Sequence, residues 1–275
     1  MASDASFTSG RPENAPRKPL VRSYPTIRTV SALMMREMTT RFGRTPGGVI
    51  WVVLQPLATI LVLGFAFSLI ARTPALGTSY IFFKATGLLP FNAFKSISNM
   101  VGRAFSFSSA LLVYPGVTWV DALLARLFLN ALVSFLVTFL ILGGIILFQD
   151  LSLIIDWGPV LLAMLLASFL GFGIGVLNCY LFERIAIWSN IWGIMTAPLM
   201  IVSGVIMLYE AMPTIAQQYL WYNPVLHIAG LMREGFYSTY QPTYVSIPYV
   251  LICSLVPMVL GLVLLRRYHR DLLNR

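Results

Sequence analysis

The chain has 275 residues, of which 58% are hydrophobic and only 11% are charged. Soluble domains carry about 25% charged residues, so this composition excludes a water-soluble globule, a disordered chain and a disulfide-rich scaffold. A polytopic α-helical membrane protein fits instead, because each spanning helix needs about 20 mostly apolar residues. Six spans leave room for loops and tails, but not for a separate soluble catalytic domain.

The N-terminal region divides into a polar tail and an amphipathic segment. Residues 1–26 are polar, contain four prolines and hold no apolar run of the signal-peptide kind, so they predict a flexible cytoplasmic tail. Residues 27–43 place Ile27, Val30, Met34 and Met38 at three- and four-residue spacing. This pattern predicts an amphipathic helix that lies in the cytoplasmic membrane interface.

The remaining apolar runs predict an all-α membrane protein with six transmembrane helices. The predicted spans are residues 49–70, 80–103, 121–148, 157–181, 186–208 and 248–265. We expect a short helix within 104–120, a fifth span broken at Gly193 and Pro198, and periplasmic re-entrant helices within 209–247. The small residues of GFGIG at 171–175 predict close helix–helix contact.

The distribution of charge predicts the orientation. Most of the 19 Lys and Arg residues fall in the N-terminal region, in the C-terminal end and in alternate loops. The positive-inside rule therefore predicts that both termini are cytoplasmic, which requires an even number of spans. The same rule explains the net charge of +9 without a nucleic-acid partner.

Several kinds of site are missing from the sequence. It contains no Walker A, HExxH or GxSxG motif, and its two cysteines and two histidines predict neither a disulfide nor a metal site. We therefore expect no enzyme activity and no cofactor in this chain. Its acidic residues cluster at span ends, which disfavours ion coupling through a carboxylate within the membrane.

Four segments together carry a family resemblance. They read ALMMREMTTRFG-RTPGGVIWVVLQP at 32–56, GLLPFNAFKSISN at 87–99, VSGVIM at 202–207 and WYNPVLHIAGLMREGFYSTY at 221–240. In these segments the chain resembles ABC-2 type permeases, above all the membrane subunits of capsular polysaccharide exporters (the KpsM type), with O-antigen exporters (the Wzm type) close behind. The resemblance covers residues 27–270, which we expect to form the transmembrane domain, followed by a cytoplasmic end at 271–275.

The resemblance implies a function and a set of partners. It implies a homodimer in the bacterial inner membrane that exports lipid-linked capsular polysaccharide, with a separate cytoplasmic ATPase that binds ATP and Mg. It also implies periplasmic and outer-membrane export partners. O-antigen or teichoic-acid export is the alternative within the class, and an ATP-independent channel or carrier is the alternative outside it.

The resemblance also assigns two cytoplasmic surfaces. The family's interface helix and the turn after it correspond to Arg36, Glu37, Arg41 and Arg44, as an ATPase contact and a gate for the lipid headgroup. Interfacial anchoring by snorkelling bases is the alternative. Residues 106–118 correspond to the coupling helix, and its expected docking side chains are Leu111, Leu112, Val113 and Tyr114. An ordinary loop is the alternative for that segment.

Aromatic and polar residues in the spans predict a substrate channel, because sugar rings stack on aromatic faces. The candidates are Phe91, Asn92, Phe94, Lys95, Trp188 and Trp192, and those at the outer exit are Tyr209, Trp221, Tyr222 and Arg233. Positions 92, 95, 96 and 99 share one helical face, which is too polar for lipid. Packing in the core or in an interfacial belt is the alternative for the aromatics, and a hydrated structural lysine is the alternative for Lys95.

Overall fold

The computed structural model describes residues 25–42, 47–70, 73–112 and 116–273, and every regular element in these ranges is helical. The α-helices are α1 Pro25–Phe42, α2 Gly48–Ile70, α3 Tyr80–Gly102, α4 Ala104–Leu112, α5 Trp119–Phe148, α6 Trp157–Arg184, α7 Trp188–Met200, α8 Thr214–Leu220, α9 Pro224–Phe236 and α10 Ile247–Leu273. A π-helical turn, Ile201–Val205, continues α7, and a short 3-10 turn, Tyr209–Ala211, precedes α8.

Some of the predicted features lie outside the described residues. These are positions 1–24 of the predicted tail, Arg44, Val113, Tyr114 and the last two residues.

Four described helices are long and apolar enough to cross a membrane. Their spanning segments are Ile50–Leu69, Trp119–Phe148, Trp157–Arg184 and Ile247–His269. Helix α3 has 23 residues, which at 1.5 Å per residue makes about 35 Å, enough for a hydrocarbon core of about 30 Å. It is less apolar because it carries Lys84 and Lys95. The chain is therefore an all-helical, multi-pass protein.

Helix α6 lies at the centre of the bundle and packs against α3, α9 and α10. Its small residues allow the neighbouring backbones to approach. A Cβ on Gly171 would lie 2.8 Å from the carbonyl oxygen of Phe94 in α3, and one on Gly173 would collide with the carbonyl of Ser254 in α10. The predicted role of the GFGIG run as a close helix contact is thus confirmed.

The predicted break at Gly193 and Pro198 is wrong, because α7 runs through both residues. The helix breaks at Ser203 and Gly204, where Gly204 has a φ of 74° that glycine adopts without steric cost. Side chains satisfy the carbonyls that the break frees. The Nδ2 of Asn223 donates to Val202 O at 3.2 Å, and the Nζ of Lys84 donates to Ile206 O. Irregular backbone inside a membrane is tolerated where it is buried in protein or lines a water-filled cavity, and Ser203 and Gly204 are buried.

Different contacts join the chain at the two ends of the bundle. At one end, the amide of Asp156 donates to Gly235 O at 2.8 Å, which joins the α5–α6 loop to α9. At the other end, the rings of Trp119 and His269 lie 6.4 Å apart, which joins the start of α5 to the end of α10. Helix α1 also contacts α5 at this second end, through Glu37 and Arg126, so α1 and the end of α10 both pack against the first half of α5.

Candidate functional site

A cavity of about 420 Å³ lies between α2, α3 and α5. Each helix contributes polar side chains to an otherwise apolar wall. The polar lining residues are Arg41, Gln55, Thr59, Asn92, Lys95, Ser96, Asn99, Ser134 and Thr138. Asn92, Lys95, Ser96 and Asn99 of α3 all line this cavity, which confirms that positions 92, 95, 96 and 99 share one face. Gln55 and Thr59 are exposed, so the cavity opens at the surface of the chain. We call it the α2–α3–α5 cavity.

The aromatic candidates of α3 are deeply buried. The rings of Phe91 and Phe94 lie 6.3 Å apart, and each residue is about 1% exposed. Phe91 forms part of the wall of the α2–α3–α5 cavity, whereas Phe94 packs in the hydrophobic core with residues of α6. Of these two rings, only Phe91 lies where a molecule in the cavity would meet it.

The tryptophans of α7 lie apart from this cavity. The Nε1 of Trp188 donates to the Oδ1 of Asn178 in α6 at 3.0 Å. Trp192 is half-buried and packs against the main core. The cavity wall receives Met200 from the far end of α7. A contact of Trp188 or Trp192 with substrate therefore stays a prediction that this cavity does not support.

Helix α1 is joined to α5 by a buried ion pair. The Oε2 of Glu37 lies 3.3 Å from the Nε of Arg126, and the two side chains are 7% and 5% exposed. Arg126 also donates to Met100 O at the end of α3. Burial raises the pKa of Glu37, although the charges of Arg126 and Arg41 oppose this rise. The Nη1 of Arg41 donates to the Oδ1 of Asn130 at 2.7 Å, which makes a second link to α5.

Helix α4, within the predicted coupling segment, contacts this same cluster. The ring of Phe107 lies 4.4 Å from the Cζ of Arg126 and 5.8 Å from the Cζ of Arg36 in α1. Leu111 and Leu112 are half-buried at the end of α4, and Leu112 packs against a hydrophobic cluster that includes Phe105, Leu123 and Val176. Helix α1, helix α4 and the start of α5 thus form one packed unit.

The predicted exit residues separate into two places. Tyr209, Trp221 and Tyr222 line a second cavity, of about 710 Å³, beside α8. Arg233 is instead buried between α9 and α3, with its Cζ 4.2 Å from the ring centre of Phe83. Its Nη2 would lie 2.9 Å from a Cβ on Gly87, so that glycine makes room for the guanidinium.

Sequence reasoning missed the polar face of α5. Arg126, Asn130, Ser134 and Thr138 recur every four residues in a helix that, apart from Asp121 in its first turn, is otherwise apolar. This spacing places them along one side of the helix, and Ser134 and Thr138 line the α2–α3–α5 cavity. The four-residue period was the signal that could have identified them.

Comparisons with known proteins give a consistent result. The family profile described as ABC-2 type transporter matches residues 28–237. The capsule polysaccharide export inner-membrane protein CtrC of Neisseria meningitidis serogroup B is 25% identical over 243 residues, covering 88% of this chain and 92% of that protein. The polysialic acid transport protein KpsM of Escherichia coli is 29% identical over 246 residues, covering 90% and 95%. The capsule polysaccharide export inner-membrane protein BexB of Haemophilus influenzae is 26% identical over 250 residues, covering 88% and 92%.

Proposed function

Because the chain belongs to the ABC-2 type transporter family, we propose that it is the membrane subunit of an ATP-driven exporter of lipid-linked capsular polysaccharide. The α2–α3–α5 cavity, with Lys95 in its wall, is the observation that carries this proposal. Relatives that match about nine-tenths of the chain are named for capsule polysaccharide export or polysialic acid transport, and these names supply the substrate class.

The lining of the cavity suits an acidic carbohydrate. Lys95 and Arg41 supply positive charge, while amides and hydroxyls can replace water around sugar hydroxyl groups. An ammonium on a flexible stem makes a mobile charge contact, in contrast with the bidentate grip of an arginine. A contact of this kind suits a chain that slides through the site.

The proposed assembly is a homodimer of six-span subunits. The spans are α2, α3, α5, α6, α7 with the π-helical turn, and α10. The exposed mouth of the α2–α3–α5 cavity at Gln55 and Thr59 supports this assembly, because a polar opening toward lipid is costly. In a homodimer, a second copy shields that mouth and the two cavities join into one hydrated path.

Energy is proposed to come from a separate cytoplasmic ATPase that binds ATP and Mg, while this chain itself catalyses no reaction. The packed unit of α1, α4 and the start of α5 supports this coupling, because Phe107 of α4 contacts Arg126, which pairs with Glu37, so a displacement of α4 would reach both α5 and α1. Residues 106–118 are the proposed docking segment for the ATPase.

The proposed location is the bacterial inner membrane, with both termini in the cytoplasm. The bases concentrated at the N- and C-terminal regions support this orientation, as does the packing of both α1 and the end of α10 against the first half of α5. Helices α8 and α9 then face the periplasm, where we expect the further export partners of a capsule system.

Deletion of the gene in its own bacterium tests the function. We expect capsule to disappear from the cell surface and to accumulate inside the cell, and a plasmid copy to restore it. A mutant with a normal capsule but no O-antigen or teichoic acid would overturn the capsule assignment. A mutant with all surface polymers intact would overturn polysaccharide export altogether.

A further inference from the structure

Two cations are buried close together where α3, α9 and the break after α7 meet. Lys84 of α3 is 2% exposed and Arg233 of α9 is 1% exposed. The Nζ of Lys84 lies 5.3 Å from the ring centre of Phe83, and the Cζ of Arg233 lies 4.2 Å from the same ring centre. Neither cation forms an ion pair within the described residues. Buried charges are normally paired, because a charge loses its hydration when it leaves water.

The surroundings of Lys84 compensate for its burial better than those of Arg233 do. The Nζ of Lys84 donates to Ile206 O and lies 3.8 Å from the ring centre of Phe67. Arg233 packs on Phe83, but its Nε and Nη2 have no hydrogen-bond partner in the described chain. These two nitrogens lie on one edge of the planar guanidinium, and such an edge binds an anion through two N–H donors at once. Arg233 therefore presents an unused pair of donors inside the protein.

A third donor, the hydroxyl of Tyr237, lies in the same buried region. Tyr237 follows α9, is 7% exposed, and its hydroxyl has no hydrogen-bond partner in the part of the chain that the structure describes. Thr86 lies beside that hydroxyl but donates its own proton to Phe83 O at 2.9 Å. Burial raises the pKa of Tyr237, and the charge of Arg233 opposes this rise. The Tyr237 hydroxyl therefore keeps its proton and can donate it to an anion.

No carboxylate among the described residues contacts the guanidinium of Arg233. Burial lowers the pKa of Arg233, and the charge of Glu210 is among those that oppose this effect. Glu210 is exposed, however, and its two oxygens accept hydrogen bonds from Tyr240 at 3.0 and 3.3 Å. A counter-charge in contact with Arg233 is therefore best supplied by a bound anion.

The neighbouring backbone limits the size of such an anion. A Cβ on Gly87 would lie 2.9 Å from the Nη2 of Arg233 and 3.1 Å from the Cα of Val205, and one on Gly204 would lie 3.7 Å from Nη1. Two glycines thus keep side chains away from the guanidinium, while the backbone packs too closely for a phosphate group or a sugar ring. A monatomic anion is the smallest counter-ion that can contact the donors.

We propose that Arg233 and Tyr237 form a binding site for a chloride ion. The ion accepts hydrogen bonds from the Nε and Nη2 of Arg233 and from the Tyr237 hydroxyl, and it offsets part of the positive charge shared with Lys84. Because Lys84 also donates to Ile206 O just after the helix break, the ion stabilises the packing of α3 and α9 against that break. The site goes beyond the proposed export function and does not depend on it.

Thermal unfolding in the presence of chloride tests the site. The full chain is purified in detergent, and chloride replaces gluconate, which is too large for the site, at constant ionic strength. We expect the melting temperature to rise by about 3 °C, with single-site saturation, as chloride increases from zero to about 0.3 M, and bromide to act in the same way. Arg233→Met should abolish this dependence. Arg266→Met is the matched control, because Arg266 is an exposed base, and it should keep the dependence unchanged.

A second variant allows the test to work even if Arg233→Met does not fold. Tyr237→Phe removes only a hydroxyl that has no partner in the described chain, and we expect it to weaken the apparent chloride affinity about fivefold. An affinity equal to that of the parent would refute the site.

Two further outcomes would also refute the chloride site. A melting temperature that does not change with chloride would show that water alone satisfies the buried donors. A dependence that Arg266→Met removes as completely as Arg233→Met would show a general effect of salt on surface charge. Neither outcome bears on capsule export, which is measured separately in cells.

Discussion

Glu37 of α1 and Arg126 of α5 form an ion pair of 3.3 Å that is almost entirely shielded from water. The pair connects a helix that lies outside the candidate spans to the start of a spanning helix. Arg126 also donates a hydrogen bond to Met100 O of α3 and packs over the ring of Phe107 in α4. One side chain thus joins four helices at one end of the bundle, where we propose that the ATPase acts.

Removal of one partner of this pair should destabilise the protein strongly. Glu37→Ala leaves the Arg126 guanidinium buried without its counter-charge, which costs about 3–5 kcal/mol in comparable pairs. We expect a lower melting temperature in detergent. Arg28→Ala, on the exposed side of the same helix, should have almost no effect.

The double variant Glu37→Ala/Arg126→Met measures the coupling itself. Because neither charge is then left alone, we expect it to be more stable than the sum of the two single losses implies. If the loss of stability in the double variant equals the sum of the losses in the two single variants, the pair contributes no specific interaction.

The charge of Lys95 should matter for export of an acidic polysaccharide. Lys95 lies in the wall of the α2–α3–α5 cavity, so Lys95→Glu replaces attraction by repulsion along the proposed path, whereas Lys95→Arg keeps the positive charge. We expect loss of surface capsule for Lys95→Glu and near-normal capsule for Lys95→Arg, measured by antibody binding to cells. Immunoblots of purified membranes check that both variants are inserted. If Lys95→Glu is well inserted and exports capsule normally, Lys95 is a hydrated structural lysine with no role in export.

The close packing of α6 on α10 predicts a sharp effect at Gly173. A Cβ there would collide with the Ser254 carbonyl, so Gly173→Ala must push the two backbones apart. We expect a lower melting temperature in detergent and less protein in the membrane. Gly193→Ala is the matched control, since a Cβ at Gly193 meets nothing within 4 Å. A melting temperature for Gly173→Ala equal to that of the control would contradict the described packing of α6 on α10.

The proposed orientation can be checked with cysteine labelling. In a chain without Cys179 and Cys253, a cysteine at the exposed position 218 of α8 should react with a membrane-impermeant maleimide on intact spheroplasts. One at the exposed position 267, near the end of α10, should react only after permeabilisation. The reverse labelling pattern would show that α8 faces the cytoplasm and the end of α10 faces the periplasm, which contradicts the proposed orientation.

Helix positions were predictable because they depend on local sequence. The apolar run of α5 and the three- to four-residue period of Asn92, Lys95 and Asn99 needed no knowledge of partners. The break at Gly204 was not predictable in this way, because it is stabilised by Asn223 and Lys84, which are distant in sequence. The low helix propensity of glycine and proline led us to predict the break at Gly193 and Pro198, but α7 runs through both residues.

The candidate site divides in the same way into features that one helix predicts and features that depend on how the helices pack. The polar face of α3 could be predicted from one helix, but the α2–α3–α5 cavity needs α2 and α5 beside it. The Glu37–Arg126 pair likewise depends on how α1 docks on α5. The guanidinium of Arg233 in α9 likewise packs against Phe83 of α3, a contact between residues that are far apart in the sequence.

We expect this chain to move a lipid-linked polysaccharide only when a separate ATPase hydrolyses ATP. The most direct measurement reconstitutes the chain with that ATPase in liposomes that contain capsular glycolipid, and follows the appearance of the polysaccharide on the far side of the bilayer. We expect transport that requires ATP, Mg and both proteins, and that falls to background with Lys95→Glu. Transport by the chain alone, or ATP-dependent transport of equal rate with Lys95→Glu, would contradict it.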